Sequence, residues 1–248
     1  MSKKKMLFSR SSGSPFLANL SAYYPLNSDA NDYTGVNNGV PYLITYGSGK
    51  VGNAAIFAKN IVHTYIDIPD NDSLSFTNGG GVDVPMTICM WVNMSLINTG
   101  NWFINKRGAT SGTDEWQFAY FSNKIIFGRY DRVSNSIYQE IKSSASLLSL
   151  NTWYHIAVTD DGSKNINNMK MYLNGSLITT TKTSAGVYTG MPNGTYKVKM
   201  GRASWDNNPA LAHDGKLDEV AIWKNRQLTD AEVLEAYNLG NAGTPLIS

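Results

Sequence analysis

The sequence predicts an all-β protein made of two packed antiparallel sheets, and three observations carry that prediction. Short runs of β-branched and aromatic residues recur along most of the chain, separated by turn formers. Only 16% of the 248 residues are charged, whereas glycine is abundant with 22 copies. Asn174-Gly175 joins two short apolar runs and signals a β-hairpin, because both positions of a type I′ turn need positive φ. A chain of this length and composition fits one large sandwich domain.

Alternating and apolar patterns predict twelve strands and one helix. The strands are expected at residues 22–26, 54–58, 65–68, 86–94, 102–106, 116–121, 124–129, 137–141, 153–159, 170–173, 196–200 and 217–223. The helix is expected to begin at Thr229, which forms a capping box with Glu232, and to end at Gly240. So many short strands in regular succession indicate two sheets packed face to face.

Four ordered segments carry a family resemblance. They are A-Y-Y-P-L-N at 22–27 running into A-N-D-Y-T-G at 30–35, M-T-I-C-M-W-V at 86–92, W-Y-H-I-A-V-T-D-D-G with M-K-M-Y-L-N-G within 153–175, and G-K-L-D-E-V-A-I-W at 215–223. Over about residues 21–240 the chain resembles the laminin-G-like domains of the concanavalin A-like lectin/glucanase superfamily. The resemblance implies a concanavalin A-like jelly-roll sandwich of two antiparallel sheets with one short C-terminal helix. It implies little about function, because this fold hosts lectins, adhesion modules, hydrolases and structural proteins.

The resemblance divides the chain into three parts: a basic polar arm at 1–20, the sandwich at 21–240 and a tail at 241–248. The arm is rich in Lys, Ser and Gly, a composition that does not order by itself. Two interpretations of the arm stay open. Phe8, Phe16 and Leu17 dock onto the sandwich itself, or the arm lies on a neighbouring subunit.

Charge, cysteine content and hydropathy exclude several classes of protein. The net charge is +2 and clusters only at Lys3-Lys4-Lys5, so we expect no nucleic-acid partner. Cys89 is the only cysteine, which rules out an intrachain disulfide. The N-terminus has too short an apolar run for a signal peptide, and no run approaches the ~18 residues of a membrane helix. We therefore expect neither general secretion nor membrane insertion.

An oxygen-rich loop and a carboxylate pair suggest a structural cation. Asp29, Asn31 and Asp32 supply oxygens of the kind that calcium binds, and Asp218-Glu219 lies in the closing strand. The resemblance makes Asp32 with Asp218 the expected pair around a structural calcium ion. The alternative is that loop amides satisfy these carboxylates by hydrogen bonds.

Catalytic motifs are missing from the sequence. Glycosidases of this superfamily place two glutamates in an E-x-D-x-x-E type motif, and none of the five glutamates here forms one. The histidines, His63, His155 and His213, show no metal spacing. No G-x-S-x-G is present either, so we expect a protein without enzymatic activity.

Sugar binding remains as a function that the residues favour. Protein sites for sugars stack an aromatic ring on the sugar and surround it with polar groups. Trp205-Asp206-Asn207 has that composition in a predicted loop, and Trp102 beside Asn101 and Trp116 beside Gln117 are weaker versions. The alternative for each tryptophan is packing at the rim of the sandwich.

We therefore predict a non-enzymatic surface recognition or structural protein. A recognition fold without a secretion signal or disulfides favours a virion component made in the host cytoplasm, such as a bacteriophage capsid decoration or fibre that binds host-surface glycans. Residues 1–20 would attach it to a capsid or tail protein in a large assembly. The alternatives are an extracellular carbohydrate-binding or adhesion module of a microbe, and a glycoside hydrolase.

Overall fold

The computed structural model describes residues 14–58, 64–96, 100–108, 110, 112–204 and 211–247. These residues form sixteen strands and one α-helix. The strands are β1 Leu20–Tyr24, β2 Val40–Tyr42, β3 Thr45–Ser48, β4 Asn53–Phe57, β5 Tyr65–Ile68, β6 Met86–Met94, β7 Gly100–Lys106, β8 Trp116–Phe121, β9 Lys124–Tyr130, β10 Tyr138–Ser143, β11 Trp153–Asp160, β12 Lys170–Leu173, β13 Ser176–Leu177, β14 Thr180–Ala185, β15 Val198–Met200 and β16 Gly215–Lys224, and the helix is α1 Asp230–Asn241. The predicted all-β sandwich with one C-terminal helix is confirmed.

The first sheet is centred on the long apolar strand β6. Its strand order is β13-β12-β11-β6-β16-β4-β3, and β1 pairs with β16 off this path. All of its pairs are antiparallel. The predicted hairpin at Asn174-Gly175 joins β12 to β13, and both turn residues have positive φ, 50° and 77°. This turn chemistry is the reason that the two strands pair in one register.

The second sheet has the order β14-β10-β9-β8-β7-β15-β5-β2 and is antiparallel throughout. Its inward residues pack against the first sheet. The main core between the sheets includes Ile66, Phe103, Trp116, Phe118, Phe127, Ile141 and Met200 from the second sheet and Ile88, Met90, Ile156, Val158, Leu217 and Val220 from the first. Since neighbouring residues of a strand point to opposite faces, the alternate residues of the second sheet form its outer face.

A second apolar cluster lies on the far side of the first sheet, under the helix. The capping box at the helix start is present, since Thr229 and Glu232 bond each other's backbone amides. Val233 and Ala236 of the helix are buried there together with Phe16 and Trp223. Trp223 Nε1 donates to the Phe16 carbonyl at 2.8 Å. Phe16 therefore docks onto the sandwich itself.

The packed unit extends past residues 21–240 at both ends. Strand β1 begins at Leu20, and Arg226 donates to the carbonyls of Pro15 and Ala18 at 2.9 Å each. At the other end Leu246 and Ile247 are buried in the same cluster as Trp223. The predicted arm at 1–20 thus falls partly outside the described residues and partly on the sandwich.

Twelve of the sixteen strands match the predicted ones to within two residues at each end. The other four, β2, β3, β13 and β14, carry no strand pattern of their own in the sequence, although the Asn174-Gly175 turn implied a partner for β12 at the place of β13. These four strands end the strand orders of the two sheets. Most of their residues are exposed or half-buried, so they carry none of the apolar alternation from which strands are predicted.

Candidate functional site

The outer face of the second sheet carries a continuous row of directly opposed residues, mostly polar, one from each of its eight strands. In order across the sheet they are Thr183, Glu140, Gly128, Gln117, Asn105, Lys199, Asp67 and Val40. We call them the outer-face row. Opposed residues of antiparallel strands project from the same face, so these side chains lie side by side. Residues on either side of the row's members in sequence, such as Ile66, Phe118 and Phe127, point into the core.

Gly128, the one member of this row without a side chain, leaves a small buried gap between Gln117 and Glu140, which are only 4% and 8% exposed. A Cβ placed on Gly128 would meet the Gln117 Nε2 and Cγ atoms at 3.5 and 3.6 Å and the Glu140 Cγ at 3.8 Å, which are ordinary contact distances. The amide nitrogen of Gln117 and the carboxyl-bearing chain of Glu140 therefore border the space above Gly128. Beside it Tyr130 and Tyr138 lie opposite each other with ring centroids 6.0 Å apart. We call this gap and its borders the Gly128 gap.

A charged network stiffens one wall of the Gly128 gap. Arg107 lies over the Tyr130 ring at 4.2 Å, and it donates from Nη1 to Gln117 Oε1 at 2.7 Å and from Nε to Asp114 at 2.8 Å. Burial raises the pKa of Asp114, while the Arg107 guanidinium opposes that rise. Across the gap Lys142 forms an ion pair with Glu140 at 2.8 Å. The wall thus presents hydrogen-bond donors and acceptors that are held in fixed positions before any ligand arrives.

Two of the predicted sugar-stacking residues are buried, and the interpretation of both was wrong. Trp116 is fully buried in the main core, where Nε1 donates to the Leu74 carbonyl at 3.0 Å. Trp102 is on the outer face but only 4% exposed, because it packs against Phe121 and donates to Gln117 Oε1. Neither ring has a face open to a sugar. The alternative of structural packing is correct for both.

The predicted loop site Trp205, Asp206 and Asn207 lies outside the described residues. The residues that flank it, Ser204 and Leu211, lie on the outer face of the second sheet. Ser204 bonds Asn105 of the outer-face row through Oγ at 2.6 Å, and Leu211 packs against the cluster around Trp102. This loop site stays a prediction.

Asp32 and Asp218 are both buried, but each binds the amides of a different loop. Asp32 accepts from the backbone nitrogens of Tyr23, Thr34 and Asn37 at 2.8, 3.1 and 3.0 Å. Asp218 accepts from those of Lys50 and Val51 at 2.8 and 2.9 Å. Within the described ranges, no group of three or more His, Cys, Asp or Glu side chains is arranged to hold a metal ion. Backbone amides bond both oxygens of Asp32 but only Oδ2 of Asp218, whose Oδ1 is buried without a hydrogen-bond partner, and the calcium ion stays a prediction.

The Asp218-Glu219 pair sits at a β-bulge of strand β16. The register with β6 shifts between Asp218 and Ala221, and Glu219 has a φ of 52°. Glu219 accepts from the Tyr23 hydroxyl at 2.6 Å and from the Leu246 nitrogen at 2.7 Å. Burial raises the pKa of both carboxyl groups to about 7. The pair therefore links β1, β16 and the C-terminal segment. It belongs to the first sheet and lies away from the outer face of the second sheet.

Buried ion pairs support the rim of the second sheet, and the sequence analysis missed them. Arg129 pairs with Asp160 and lies 3.6 Å from Asp83. Lys106 pairs with Glu115 at 2.9 Å. The alternation of β7 and β9 is the one sequence signal for them, since it turns Lys106 and Arg129 toward the core side of their strands.

Three carboxylates fasten the long connection between β14 and β15 to this rim. Asp131 accepts from the Gly190 nitrogen at 3.2 Å, Asp83 from the Met191 nitrogen at 2.8 Å, and Glu115 from the Gly194 nitrogen at 2.9 Å. Burial raises the pKa of Glu115 to about 7, against the opposing effect of Lys106. These contacts fix the position of residues 190–194, which have no regular secondary structure.

The remaining sequence expectations concern single residues. Cys89 is buried and its thiol pKa is raised by burial. His155 packs between Trp91 and Tyr237, and burial lowers its pKa to about 3. In the part of the chain that the structure describes, no helix has the length and apolar character needed to cross a bilayer.

Comparisons with known proteins agree with this architecture. The laminin G 3 profile, described as the concanavalin A-like lectin/glucanases superfamily, matches residues 60–234. The comparison with curated protein sequences gives no match. The profile match covers more than half of the chain and includes all of the outer-face row except Val40.

Solved structures with the same fold include toxin and enzyme modules. The binding domain of Paraclostridial Mosquitocidal Protein 1 matches with a TM-score of 0.68 and 19% identity, over 89% of this chain and 52% of that chain. Domain 4 of AbnA, a GH43 extracellular arabinanase from Geobacillus stearothermophilus in complex with arabinotriose, matches with a TM-score of 0.60 and 18% identity, over 88% and 97%. The receptor binding domain of botulinum neurotoxin type G matches with a TM-score of 0.60 and 17% identity, over 89% and 51%. This chain spans about half the length of the two toxin domains, and similarity at these identities shows the fold alone.

Proposed function

Because the chain belongs to the laminin-G-like family of the concanavalin A-like lectin/glucanases superfamily, we propose that it is a non-enzymatic module that binds carbohydrate on the outer face of its second sheet. The single observation that carries this proposal is the Gly128 gap. There the Gln117 amide and the Glu140 side chain border an unfilled position in a row that otherwise carries side chains. A sugar hydroxyl both donates and accepts hydrogen bonds, so an amide donor and a carboxylate acceptor on either side of one position suit it.

The polar side chains that border the gap are held in place by neighbouring cations, which supports a binding role over a structural one. Arg107 and Lys142 hold Gln117 and Glu140 from the outside, so little side-chain freedom is lost when a ligand binds. Tyr138 lies next to the gap and is half-buried, which leaves part of its ring for contact with the apolar side of a sugar. Recognition by polar groups with an adjacent ring is the usual composition of such sites.

The carboxylates of this face speak against hydrolysis. Glycoside hydrolysis needs two carboxyl groups about 5–9 Å apart, one of them held as an acid. On this face Glu140 pairs with Lys142, and Asp114 pairs with Arg107. Each of these two carboxylates is thus held in an ion pair with a neighbouring cation, which is the arrangement of a structural or ligand-binding carboxylate.

The known structures of this fold support a ligand of the same class. Domain 4 of AbnA was solved in complex with arabinotriose, and the two toxin domains are described as binding or receptor binding domains. We extend to this chain only the general role, which is recognition of a carbohydrate or a receptor that carries one.

A titration of the wild type and one space-filling variant tests the proposal. Gly128→Val places a side chain in the gap at ordinary contact distances and in a strand, where β-branched residues are favoured. The matched control is Thr183→Val, an exposed position of the same row on edge strand β14.

We expect a glycan array followed by calorimetry to identify an oligosaccharide that binds the wild type and Thr183→Val equally. The Gly128→Val variant should bind it at least tenfold more weakly while unfolding at the same temperature. If no glycan on the array binds the wild type, or if Gly128→Val binds as well as the control, the carbohydrate function of this face is wrong.

The setting on a virus particle is a further part of the proposal. It rests on the sequence alone, through the basic polar composition of residues 1–13 that precede the packed segment at Ser14. Mass spectrometry of particles purified from cultures of the organism that encodes this chain tests the particle setting. We expect the chain in the particle fraction at a fixed ratio to the capsid or tail protein, and recovery only as free protein would contradict the particle setting.

A further inference from the structure

The edge of the second sheet carries a stacked pair of tyrosines that the Gly128 gap does not use. Tyr42 of β2 lies opposite Tyr65 of β5, and their rings stack at 5.0 Å with an interplanar angle of 20°. Tyr42 is 51% exposed. We call Tyr42 and Tyr65 the tyrosine edge. One ring face of Tyr42 is supported from below by Tyr65, and the exposed half of the residue is open to a ligand.

Cations lie around the tyrosine edge. Lys199 Nζ lies 4.5 Å from the centroid of the Tyr65 ring, and the Arg202 guanidinium carbon lies 5.3 Å from it. Lys197 and Lys199 share one carboxylate, that of Asp67, in ion pairs. Two lysines on one carboxylate leave a local excess of positive charge, which attracts an anionic group.

The edge is not suited to pairing with another strand. Pro41 occupies the middle of β2 and lacks the N–H that an added strand would need. The side chains of β2 are nevertheless exposed and apolar, since Val40 is 60% exposed and Tyr42 is its neighbour on the same face. Contact through the side chains is therefore the interaction that this edge permits.

The tyrosine edge and the Gly128 gap lie on the same face of the second sheet. Val40, Asp67 and Lys199 belong to the same outer-face row as Gly128, and Tyr42 and Tyr65 form the neighbouring pair at the β2 end. Five strand spacings separate β9 from β2, a distance of about 24 Å. Asn105 of the same row lies between them, fully buried and bonded by Ser204, so a chain of several sugar rings that reaches both places passes over Ser204.

We propose that the tyrosine edge is a second contact for the same carbohydrate and that its lysines select a glycan with a carboxylate-bearing sugar. This inference rests on the proposed function, because it assigns the ligand class of the same outer face. Tyr42 stacks on one sugar ring, and Lys197 and Lys199 bind the carboxylate of that ring or of the next. Uronic acids and sialic acids both present this chemistry.

Matched pairs of ligands and variants test the proposal. The ligands are oligogalacturonates against their methyl esters, and sialyl-lactose against lactose. The variants are Tyr42→Ala, with Leu177→Ala as the control at an equally exposed position on edge strand β13 of the first sheet, and Asp67→Asn, which removes the carboxylate that the two lysines share. Affinity is measured by calorimetry at low salt, and folding by thermal unfolding.

We expect the acidic member of at least one pair to bind the wild type about tenfold more tightly than its neutral counterpart. Tyr42→Ala should weaken its binding about three- to tenfold, and Leu177→Ala should leave it unchanged. Asp67→Asn should raise the affinity for the acidic ligand about threefold and leave that for the neutral ligand unchanged, a gain that a structural role for Asp67 would not produce. Which pair responds identifies uronic or sialic acid as the source.

Equal affinity for acidic and neutral ligands, or an unchanged affinity in Tyr42→Ala, would overturn the inference. If Gly128→Val abolishes binding while Tyr42→Ala does not affect it, the proposed function stands and only the tyrosine edge is wrong. If no ligand binds the wild type, both are wrong.

Discussion

At the scale of single residues, a few buried carboxylates determine how loops meet the sandwich. Asp218 shows this directly, because it accepts two backbone hydrogen bonds from the loop at Lys50 and Val51. A buried amide that loses its acceptor pays the cost of desolvation without compensation. The loop therefore depends on a side chain that is more than 150 residues away in sequence.

Replacing Asp218 with alanine is expected to lower the free energy of unfolding by about 1–3 kcal/mol. The matched control is Asp29→Ala. Asp29 accepts one solvent-exposed hydrogen bond, from the Asn31 backbone nitrogen in its own loop, so its loss leaves no buried amide without an acceptor. Chemical denaturation of both variants measures the difference, and an unchanged midpoint in Asp218→Ala would contradict the role of the two amide bonds. Repeating the wild-type measurement with a calcium chelator tests the predicted ion, which requires a loss of stability.

Three buried carboxyl groups also set a pH dependence. Glu115, Asp218 and Glu219 have pKa values of about 7 in the folded protein, raised chiefly by burial. A raised pKa gives stability that is fully present below the pKa of the unfolded state and is lost as the pH rises through the folded pKa. His155 and His213 have lowered pKa values of about 3 and 4 and act in the opposite direction, with an effect that vanishes only about one pH unit above the unfolded value of about 6.5.

Stability is therefore expected to fall between pH 6.5 and pH 8, by about 1 kcal/mol for each of the three carboxyl groups, offset by about half as much for each of the two histidines. Glu219→Gln removes one carboxyl group and should reduce the net fall by about half. Denaturation midpoints at the two pH values give the slope for wild type and variant. A wild-type stability that stays constant or rises over this interval would show that the three carboxyl groups are not buried as described.

At the scale of elements, the sequence was informative about inner strands and uninformative about edges. The hairpin at Asn174-Gly175 and the capping box at Thr229 were predicted from local chemistry and are present. The edge strands β2, β3, β13 and β14 were missed because most of their residues are exposed, so no apolar pattern marks them. Their pairing is imposed by the neighbouring strand.

The segment before β1 behaves as part of the first sheet's packing. Phe16 is fully buried and its carbonyl accepts from Trp223. Phe16→Ala is expected to cost about 3–5 kcal/mol, because it leaves a cavity beside Trp223. Leu17→Ala is the control, since Leu17 is 41% exposed. Equal unfolding midpoints for the two variants would show that this segment is not needed for packing.

At the scale of the whole molecule, alternation along the strands explains why the site was only half predictable. Trp116 and Gln117 are adjacent, so one must face the core and the other the outer face. The sequence predicted Trp116 as a sugar-binding residue. In the structure Trp116 lies in the main core, and Gln117 lies on the outer face opposite Gly128. The row itself could not be predicted, because its members come from eight strands spread over residues 40–199.

The measurement that tests the central claim most directly is a heteronuclear NMR titration of the protein with a binding oligosaccharide. The account predicts that the amide signals of Gln117, Gly128 and Glu140 shift with ligand concentration, while those of Ala157 and Ala221 in the first sheet stay in place. If the shifts cluster in the first sheet, or at the β-bulge around Asp218, the outer face of the second sheet is not the binding surface.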